Sequence, residues 1–286
     1  MKPRKSVAIG PFTVGDDSPV CIVAELGVNH LGDPQRMRDM IAAAVECGAD
    51  LLKFQTYLKD KRYDQVGNPK GRQFTETVGR WQLSRDQEAE LWEYAKSLGA
   101  TVFTSPFDLD SLAFADDLGS AAYKLAAFEI VNHDLVRGVA ARGKPVVLSR
   151  GMATLDEVRE CVEIIEAAGS QAVILHTISS YPTLRRDSNL WMIHVLREAF
   201  DNPIGHSDHT RGTDIPPLAV AAGARMIEKH FTVNPKLRES DNPFSITPGE
   251  LEDLVYKVRR TERFMGREVT RVETENYMWD FRRETR

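Results

Sequence analysis

Polar side chains close a series of short apolar runs in this chain. Glu25 ends Val20-Cys21-Ile22-Val23-Ala24, and Lys53 and Gln55 sit in Leu51-Leu52-Lys53-Phe54-Gln55-Thr56. Ser105, Lys124, Ser149, Ser179, Ser207 with His209, and Glu228 with His230 end the later runs. A charged group at such a place is paired, bound to an ion or bound to a ligand. Two ammonium groups beside serine hydroxyls make a site for an anion carrying phosphate and carboxylate. Two other readings of the lysines stand beside it: a salt bridge to a glutamate on a neighbouring strand, and an imine-forming lysine activated by a nearby cation. His209 and His230 end consecutive runs, and neutral imidazoles suit Mn2+, Fe2+, Co2+ or Zn2+. With open positions left over, such an ion can polarise an aldehyde carbonyl; the alternative is a hydrogen-bonded structural pair. His30 and His176 are further candidate ligands, and His206 reads as packing. Glu25, Glu129 and Glu228 are candidates for moving protons or holding sugar hydroxyls, and Asp208 and Asp241 for orienting a histidine or gripping substrate. The sequence has no Walker loop, GxGxxG or GxSxG, so nucleotide binding and serine hydrolysis lose support.

The elements that must position these groups recur in one pattern. A helical stretch ends at a glycine (Gly48, Gly99, Gly119, Gly143, Gly169, Gly223) and a short apolar strand follows. Strands are expected at about 20–26, 50–56, 101–106, 121–127, 145–150, 172–179, 203–208 and 225–231. Their lack of alternation suits a parallel sheet covered on both faces. Helix starts are signalled by Asp33-Pro34 and by capping boxes at Ser84/Gln87, Thr154/Glu157 and Thr247/Glu250. Eight alternating units predict an α/β fold, a (β/α)8 TIM barrel, with chemistry at the C-terminal ends of the strands. Residues 1–18 read as a β-hairpin capping the barrel's bottom. The polar stretch Lys59–Gly79, following the second barrel strand, is expected to be a lid or specificity loop on the catalytic face. Residues 266–286 form a tail whose Tyr277, Trp279 and Phe281 are expected to cover an apolar surface.

The 286 residues, 42% hydrophobic and 28% charged, fit one soluble domain spanning 1–286. A net charge of −5 gives no reason to expect nucleic acid or membrane as partner. Cys21, Cys47 and Cys161 lie in apolar runs with no CxxC, which fits buried thiols. No secretory signal or spanning segment is read, so a cytoplasmic location is expected.

Several strings then become specific in combination. Ala24-Glu25-Leu26-Gly27-Val28-Asn29-His30, Lys53-Phe54-Gln55-Thr56, Ser105-Pro106-Phe107-Asp108, Tyr123-Lys124-Leu125-Ala126 and Leu148-Ser149-Arg150-Gly151-Met152-Ala153 occur in order. Ser179-Ser180-Tyr181-Pro182, Ser207-Asp208-His209-Thr210 and Glu228-Lys229-His230-Phe231-Thr232 follow. From about residue 6 to 265 the series resembles the sialic acid synthase family, which makes N-acetylneuraminic, legionaminic and pseudaminic acids. The resemblance implies a metal-dependent transferase that condenses phosphoenolpyruvate with an aldose or N-acyl amino sugar. Its product is a nonulosonic-acid-like 2-keto-3-deoxy sugar acid, and phosphate leaves by C–O cleavage. It implies a divalent metal at His209 and His230, Mn2+ in the first place, with Mg2+ or Co2+ as substitutes. It also implies phosphoenolpyruvate contacts at Lys53, Ser105, Lys124, Ser149 and Ser207, and an acid near the aldehyde at Glu25. Glu228 is implied beside the metal, and acceptor contacts at Phe107, Glu129, Tyr181 and Asp241. Gln55, Arg150 and Ser179 join the binding set from their strand-end positions, and assembly into a homo-oligomer through outer helices is an expectation. The chain departs from the family at Ala127 (often Ser), at Arg150 (usually Thr) and at Glu239-Ser240-Asp241-Asn242 (usually Gly-Pro-Asp-His). It ends at Arg286, before the C-terminal antifreeze-like domain that in most members supplies an arginine to the acyl-amino group. A Schiff-base aldolase or lyase on the same barrel and a non-catalytic sugar-phosphate binder remain the alternatives.

Overall fold

A computed structural model describes residues 5–62, 76–266 and 272–283. The chain opens with an antiparallel hairpin, β1 (Val7–Ile9) and β2 (Phe12–Val14). Eight parallel strands follow: β3 (Cys21–Glu25), β4 (Leu51–Thr56), β5 (Thr101–Pro106), β6 (Tyr123–Leu125), β7 (Val146–Ser149), β8 (Ala172–Thr177), β9 (Ile204–Asp208) and β10 (Met226–His230). They pair in chain order, and β10 pairs with both β9 and β3, which closes the barrel. The helices between them are α1 (Pro34–Glu46), α2 (Arg85–Ser97), α3 (Leu109–Asp117), α4 (His133–Ala140), α5 (Leu155–Ala167), α6 (Trp191–Ala199), α7 (Ile215–Ala221) and α8 (Pro248–Met265). The expected strands all form, most of them a residue or two shorter than the apolar runs.

The start signals act as chemistry requires. Asp33 accepts from the amides of Gln35 and Arg36 ahead of Pro34, and Ser84, Thr154 and Thr247 each form a reciprocal capping box. The glycines at 48, 99, 119, 143, 169 and 223 all have positive φ, the left-handed backbone that ends a helix without a Cβ clash.

Alternation along the strands sorts the core into two. Ile22, Ala24, Leu52, Phe54, Val102, Leu125, Leu148, Ile174 and Ile227 face outward into one cluster with the apolar stripes of the helices. Cys21, Val23, Leu51, Phe103, Ala122, Val147, Val173, Leu175 and Met226 face inward and pack with Val7, Ile9 and Val14 of the hairpin. The hairpin thus closes the bottom of the barrel, as the sequence predicts. Because side chains alternate with period two, the next inward positions up each strand are Glu25, Lys53 and Gln55, Ser105, Lys124, Ser149, Thr177, Ser207, and Glu228 with His230. The apolar plug below is therefore the floor beneath a polar layer.

The three cysteines are buried free thiols; burial pushes Cys161 up to about 12, so it is unreactive at neutral pH. Among the described residues no helix is long and apolar enough to cross a membrane. The tail differs from expectation. Residues 273–281 form a 3-10 helix whose Tyr277, Trp279 and Phe281 are exposed rather than laid over an apolar surface. Its turn is local, closed by bonds such as Val272 N–H to Glu275 and Arg282 N–H to Trp279. Of the polar stretch after β4, residues 63–75 lie outside the described residues. Its two ends, at Arg62 and at Thr77 with Val78, both reach the catalytic mouth.

Candidate active site

The inward polar layer and the loops above it enclose a cavity of about 410 Å³ at the C-terminal end of the barrel. On its floor Lys53 Nζ lies 3.1 Å from Glu25 Oε2 and 2.9 Å from Glu228 Oε2. Lys124 Nζ lies 3.6 Å from Glu228 Oε1, which also accepts from the Ser207 hydroxyl at 2.8 Å. The register explains the cluster: Glu25 stands opposite Lys53 on one side and His230 on the other, and Ser207 stands opposite Glu228. The salt-bridge reading of the lysines is thus realised, yet the bridges face a cavity rather than a sealed core.

Charge is unequally shared among these four groups. Burial opposes the charge on Glu228, but Lys124 and Lys53 outweigh it and hold that carboxyl well below the usual range. Burial likewise opposes the charge on Lys53, and Glu228 and Glu25 outweigh it, so Lys53 stays an ammonium. Glu25 is pushed up to about 7, chiefly by burial. Lys124 is lowered to about 8, chiefly by burial, with Glu228 partly holding its charge. At neutral pH two cations therefore face one firm anion and one carboxyl near its midpoint. The remainder is positive and suits an anionic ligand. Ser105, Ser149, Thr177 and Ser207 line the same floor. Ser149 Oγ is buried with no hydrogen-bond partner among the described residues, as a hydroxyl awaiting a ligand would be.

His209 and His230 share one wall, with ring centroids 5.3 Å apart. His209 Nδ1 lies 2.9 Å from the Ile178 carbonyl. That contact places its proton there and leaves the Nε2 lone pair for another partner. Burial lowers His209 to about 4 and takes His230 well below its ordinary value, so both imidazoles are neutral. His230 Nδ1 is 3.4 Å from Asp241 Oδ2, and the Phe244 ring packs edge-on against both imidazoles. Among the described residues no group of three or more His, Cys, Asp or Glu is arranged to hold a metal by itself. Two neutral imidazoles can serve as ligands to a divalent ion whose other positions come from water or substrate oxygens. His30 accepts from the Gly32 amide and lies outside this cavity, and His176 faces away from it.

Most sequence-predicted residues converge here. Glu25, Lys53, Gln55, Ser105, Phe107, Lys124, Ser149, Tyr181, Ser207, His209, Glu228, His230 and Asp241 line the cavity. Glu129, Arg150 and Ser179 do not. Glu129 is buried just behind, accepting from Asn132 at 2.8 Å. Arg150 Nε is buried without a partner among the described residues, and the Ser179 hydroxyl is buried behind Gly151. A Cβ at Gly151 would sit 2.2 Å from Ala127 Cβ and 2.7 Å from Ser179 Oγ, so the loop after β7 approaches closely only through a glycine.

Asp208 does not orient a histidine of the mouth. It points outward, where Lys229 Nζ donates to it at 2.7 Å and also to the Thr210 carbonyl, while Thr210 N–H donates to Asp208 at 2.9 Å. Period-two alternation would have placed Lys229 on that outer face. Nothing in composition singles it out. Replacing Lys229 by methionine should cost on the order of 3–5 kcal/mol, because Asp208 would be left as an unpaired buried charge. Urea unfolding reads this, and a loss under about 1 kcal/mol would show the pair to be dispensable.

Arg62, Thr177, Trp81, Phe128 and Phe244 also line the cavity and were not singled out from the sequence. Arg62 sits in a run of mixed charges, which gave it no distinguishing mark; Thr177 was inside a strand whose parity points it inward.

The NeuB family model matches residues 40–270. The chain is 35% identical over 266 residues to the N,N'-diacetyllegionaminic acid synthase of Legionella pneumophila, covering 88% of this chain and 75% of that protein. It is 33% identical over 262 residues to the human N-acetylneuraminate-9-phosphate synthase, covering 88% of this chain and 73% of that one. Among solved structures, an N-acetylneuraminic acid (sialic acid) synthetase from Leptospira borgpetersenii in complex with citrate is similar, with TM-score 0.92 and 33% identity. That likeness covers 97% of this chain and 96% of the other.

Proposed function

The chain belongs to the NeuB family, and from that premise we propose that it condenses phosphoenolpyruvate with an open-chain sugar aldehyde in the cytoplasm. The product is a 2-keto-3-deoxy sugar acid of the nonulosonic type, and the reaction consumes water and releases phosphate. The observation that carries the reading is the floor: Lys53 and Lys124 beside one firm carboxylate, ringed by Ser105, Ser149, Thr177 and Ser207. Phosphate and carboxylate of phosphoenolpyruvate would take the two ammonium groups and the serine hydroxyls. Glu25, fixed by Gln55 at 2.6 Å and by Lys53, stands near its midpoint at neutral pH and can pass a proton to the aldehyde oxygen as the carbon–carbon bond forms. C3 of the enol ester attacks the aldehyde carbon, C2 becomes an oxocarbenium, water adds there, and the C2–O bond to phosphate breaks. Glu228 keeps the two ammonium groups at working distance through these steps and takes no covalent part. His209 and His230 fit a divalent ion, Mn2+ in the first place, and bound there it would supply Lewis-acid polarisation of the aldehyde carbonyl. Exposed apolar side chains on α8, Tyr256, Phe264 and Met265, support assembly of copies through the outer helices.

A second reading has one observation in its favour. Lys124 is buried and lowered to about 8, as an imine-forming lysine must be. Borohydride trapping of a keto substrate with activity indifferent to EDTA would support it over the condensation. The primary test is phosphate release from phosphoenolpyruvate with Mn2+ and a panel of aldoses. Release that needs both an aldose and the metal supports the proposal. Folded, metal-loaded protein that releases none sinks it.

The lowered lysine also sets a pH limit. Lys124 is a cation below about 8 and neutral above it, while Lys53 stays charged. The KM for phosphoenolpyruvate should therefore climb up to about tenfold per pH unit above roughly 8, with KM for the sugar steady. A KM for phosphoenolpyruvate that is flat from pH 7 to 9.5 would contradict a role for Lys124 as an anion ligand.

A further inference from the structure

Asn29 stands on the loop after β3, fully buried and outside the cavity wall. Its amide nitrogen donates to the Phe231 carbonyl at 2.9 Å and to the Ser245 hydroxyl at 2.8 Å. Those two residues are the opposite ends of the loop that follows β10. Phe231 also bridges to Ile246, whose N–H donates to the His230 carbonyl at 2.8 Å. One amide from a different strand end thus ties both sides of the loop's neck. Ser245 passes the tie inward, donating to the Asp241 carbonyl from its hydroxyl at 2.8 Å and from its amide at 3.1 Å.

The loop carries two groups that touch the imidazole pair. Asp241 Oδ2 lies 3.4 Å from His230 Nδ1, and the Phe244 ring packs edge-on against both His209 and His230. Just before Asp241, Ser240 has φ +54, a left-handed backbone that a residue with a Cβ adopts at a cost. Such a turn persists only where the bonds around it over-determine it. The bonds from Asn29 through Ser245 to Asp241 do so here. A carboxylate beside the far nitrogen of a ligating imidazole fixes the ring's direction and tautomer. Release of the neck would let Asp241 and Phe244 leave the imidazoles together.

We propose that Asn29 is a positioning residue for the imidazole pair, acting through Ser245 and the loop after β10. What the imidazoles hold rests on the metal reading above, and the test includes measurements made without turnover. N29A, S245A and the double variant are compared with wild type. Mn2+ is titrated by electron paramagnetic resonance, hydrogen exchange is followed in peptides spanning 231–246, and kinetics are taken in both substrates at saturating Mn2+. N29A, which removes two buried bonds, should weaken Mn2+ by about tenfold, and S245A by about threefold. The double variant should be no more than about twofold weaker than N29A, because both substitutions cut the same chain of bonds. Exchange should quicken in 231–246 and stay unchanged in the strands. The kcat/KM for the sugar should fall about tenfold in N29A, with the KM for phosphoenolpyruvate within about twofold, since Lys53, Lys124 and the floor hydroxyls do not depend on this loop. Faster loop exchange with wild-type Mn2+ affinity would make Asn29 a support of the fold alone and overturn the proposal. So would losses that multiply in the double variant. Wild type that binds no Mn2+ would remove the metal reading and this inference with it. Mn2+ affinity lost in the stated order, by protein that releases no phosphate, would keep this inference and sink the condensation instead.

Discussion

Glu228→Gln is expected to lower kcat/KM for phosphoenolpyruvate by on the order of 10³-fold. Its two oxygens lie 2.9 Å from Lys53 and 3.6 Å from Lys124, and it also accepts from Ser207. The amide keeps the shape and removes the charge. Two buried ammonium groups then repel each other, with Glu25 and the Asp241 carboxyl, which also feels Lys53, left to offset them. Lys124, already lowered to about 8 with Glu228 partly sustaining its charge, is the one to give up its proton. The floor loses one of its two cations, and the other is drawn toward Glu25. The loss should fall mainly on phosphoenolpyruvate, with the KM for the sugar changed far less. Unfolding free energy should drop by less than the about 3–5 kcal/mol of a broken buried pair, because deprotonation of Lys124 relieves part of the strain. Steady-state kinetics in both substrates with a urea titration reads all of this. A variant within tenfold of wild type would show that the lysines do not depend on Glu228.

The second large effect is expected at the imidazole pair. His209→Ala and His230→Ala should each reduce metal-dependent phosphate release by about 10³-fold or more, the equivalent of several kcal/mol of Lewis-acid stabilisation. The fold should survive, because both rings stand at the mouth above the packed floor, and among the described residues His209 is hydrogen-bonded to the Ile178 carbonyl and the Thr177 hydroxyl. Mn2+ binding followed by electron paramagnetic resonance should weaken in parallel, and EDTA should silence wild type reversibly. Full activity in either variant, or wild-type Mn2+ affinity in both, would count against the metal assignment.

The barrel was readable because its signals are local and repeated: glycine after each helix, a cap before it, an apolar run of strand length between. The inward ring followed from the same runs, since a polar residue that ends an apolar strand can only be tolerated where something pairs with it. Lys53 and Glu228 show this well: each was visible as an exception to its own strand. Side-chain direction was harder. Asp208 and His209 are neighbours in sequence, yet alternation sends one outward to Lys229 and the other into the mouth. Arg150 was assigned to the ligand from its expected place at a strand end and Glu129 from the family resemblance; β7 ends at Ser149 and β6 at Leu125, so both residues fall where no period fixes direction, and neither lines the cavity. Arg62 is the converse. Its loop was flagged for its length, but the turn of Arg62 into the mouth depends on Tyr57 and Phe107, brought together from the ends of β4 and β5, and nothing local encodes that.

The chemistry of this cavity turns on which bond of phosphoenolpyruvate breaks. Phosphoenolpyruvate carrying 18O at its bridging oxygen, incubated with the enzyme, Mn2+ and an accepted aldose, separates the outcomes by mass spectrometry of the phosphate. A site that holds the enol ester by its charges while carbon attacks and water adds at C2 sends all of the label into phosphate. Label retained in the keto acid would mean cleavage at phosphorus, and would contradict the chemistry assigned to this cavity.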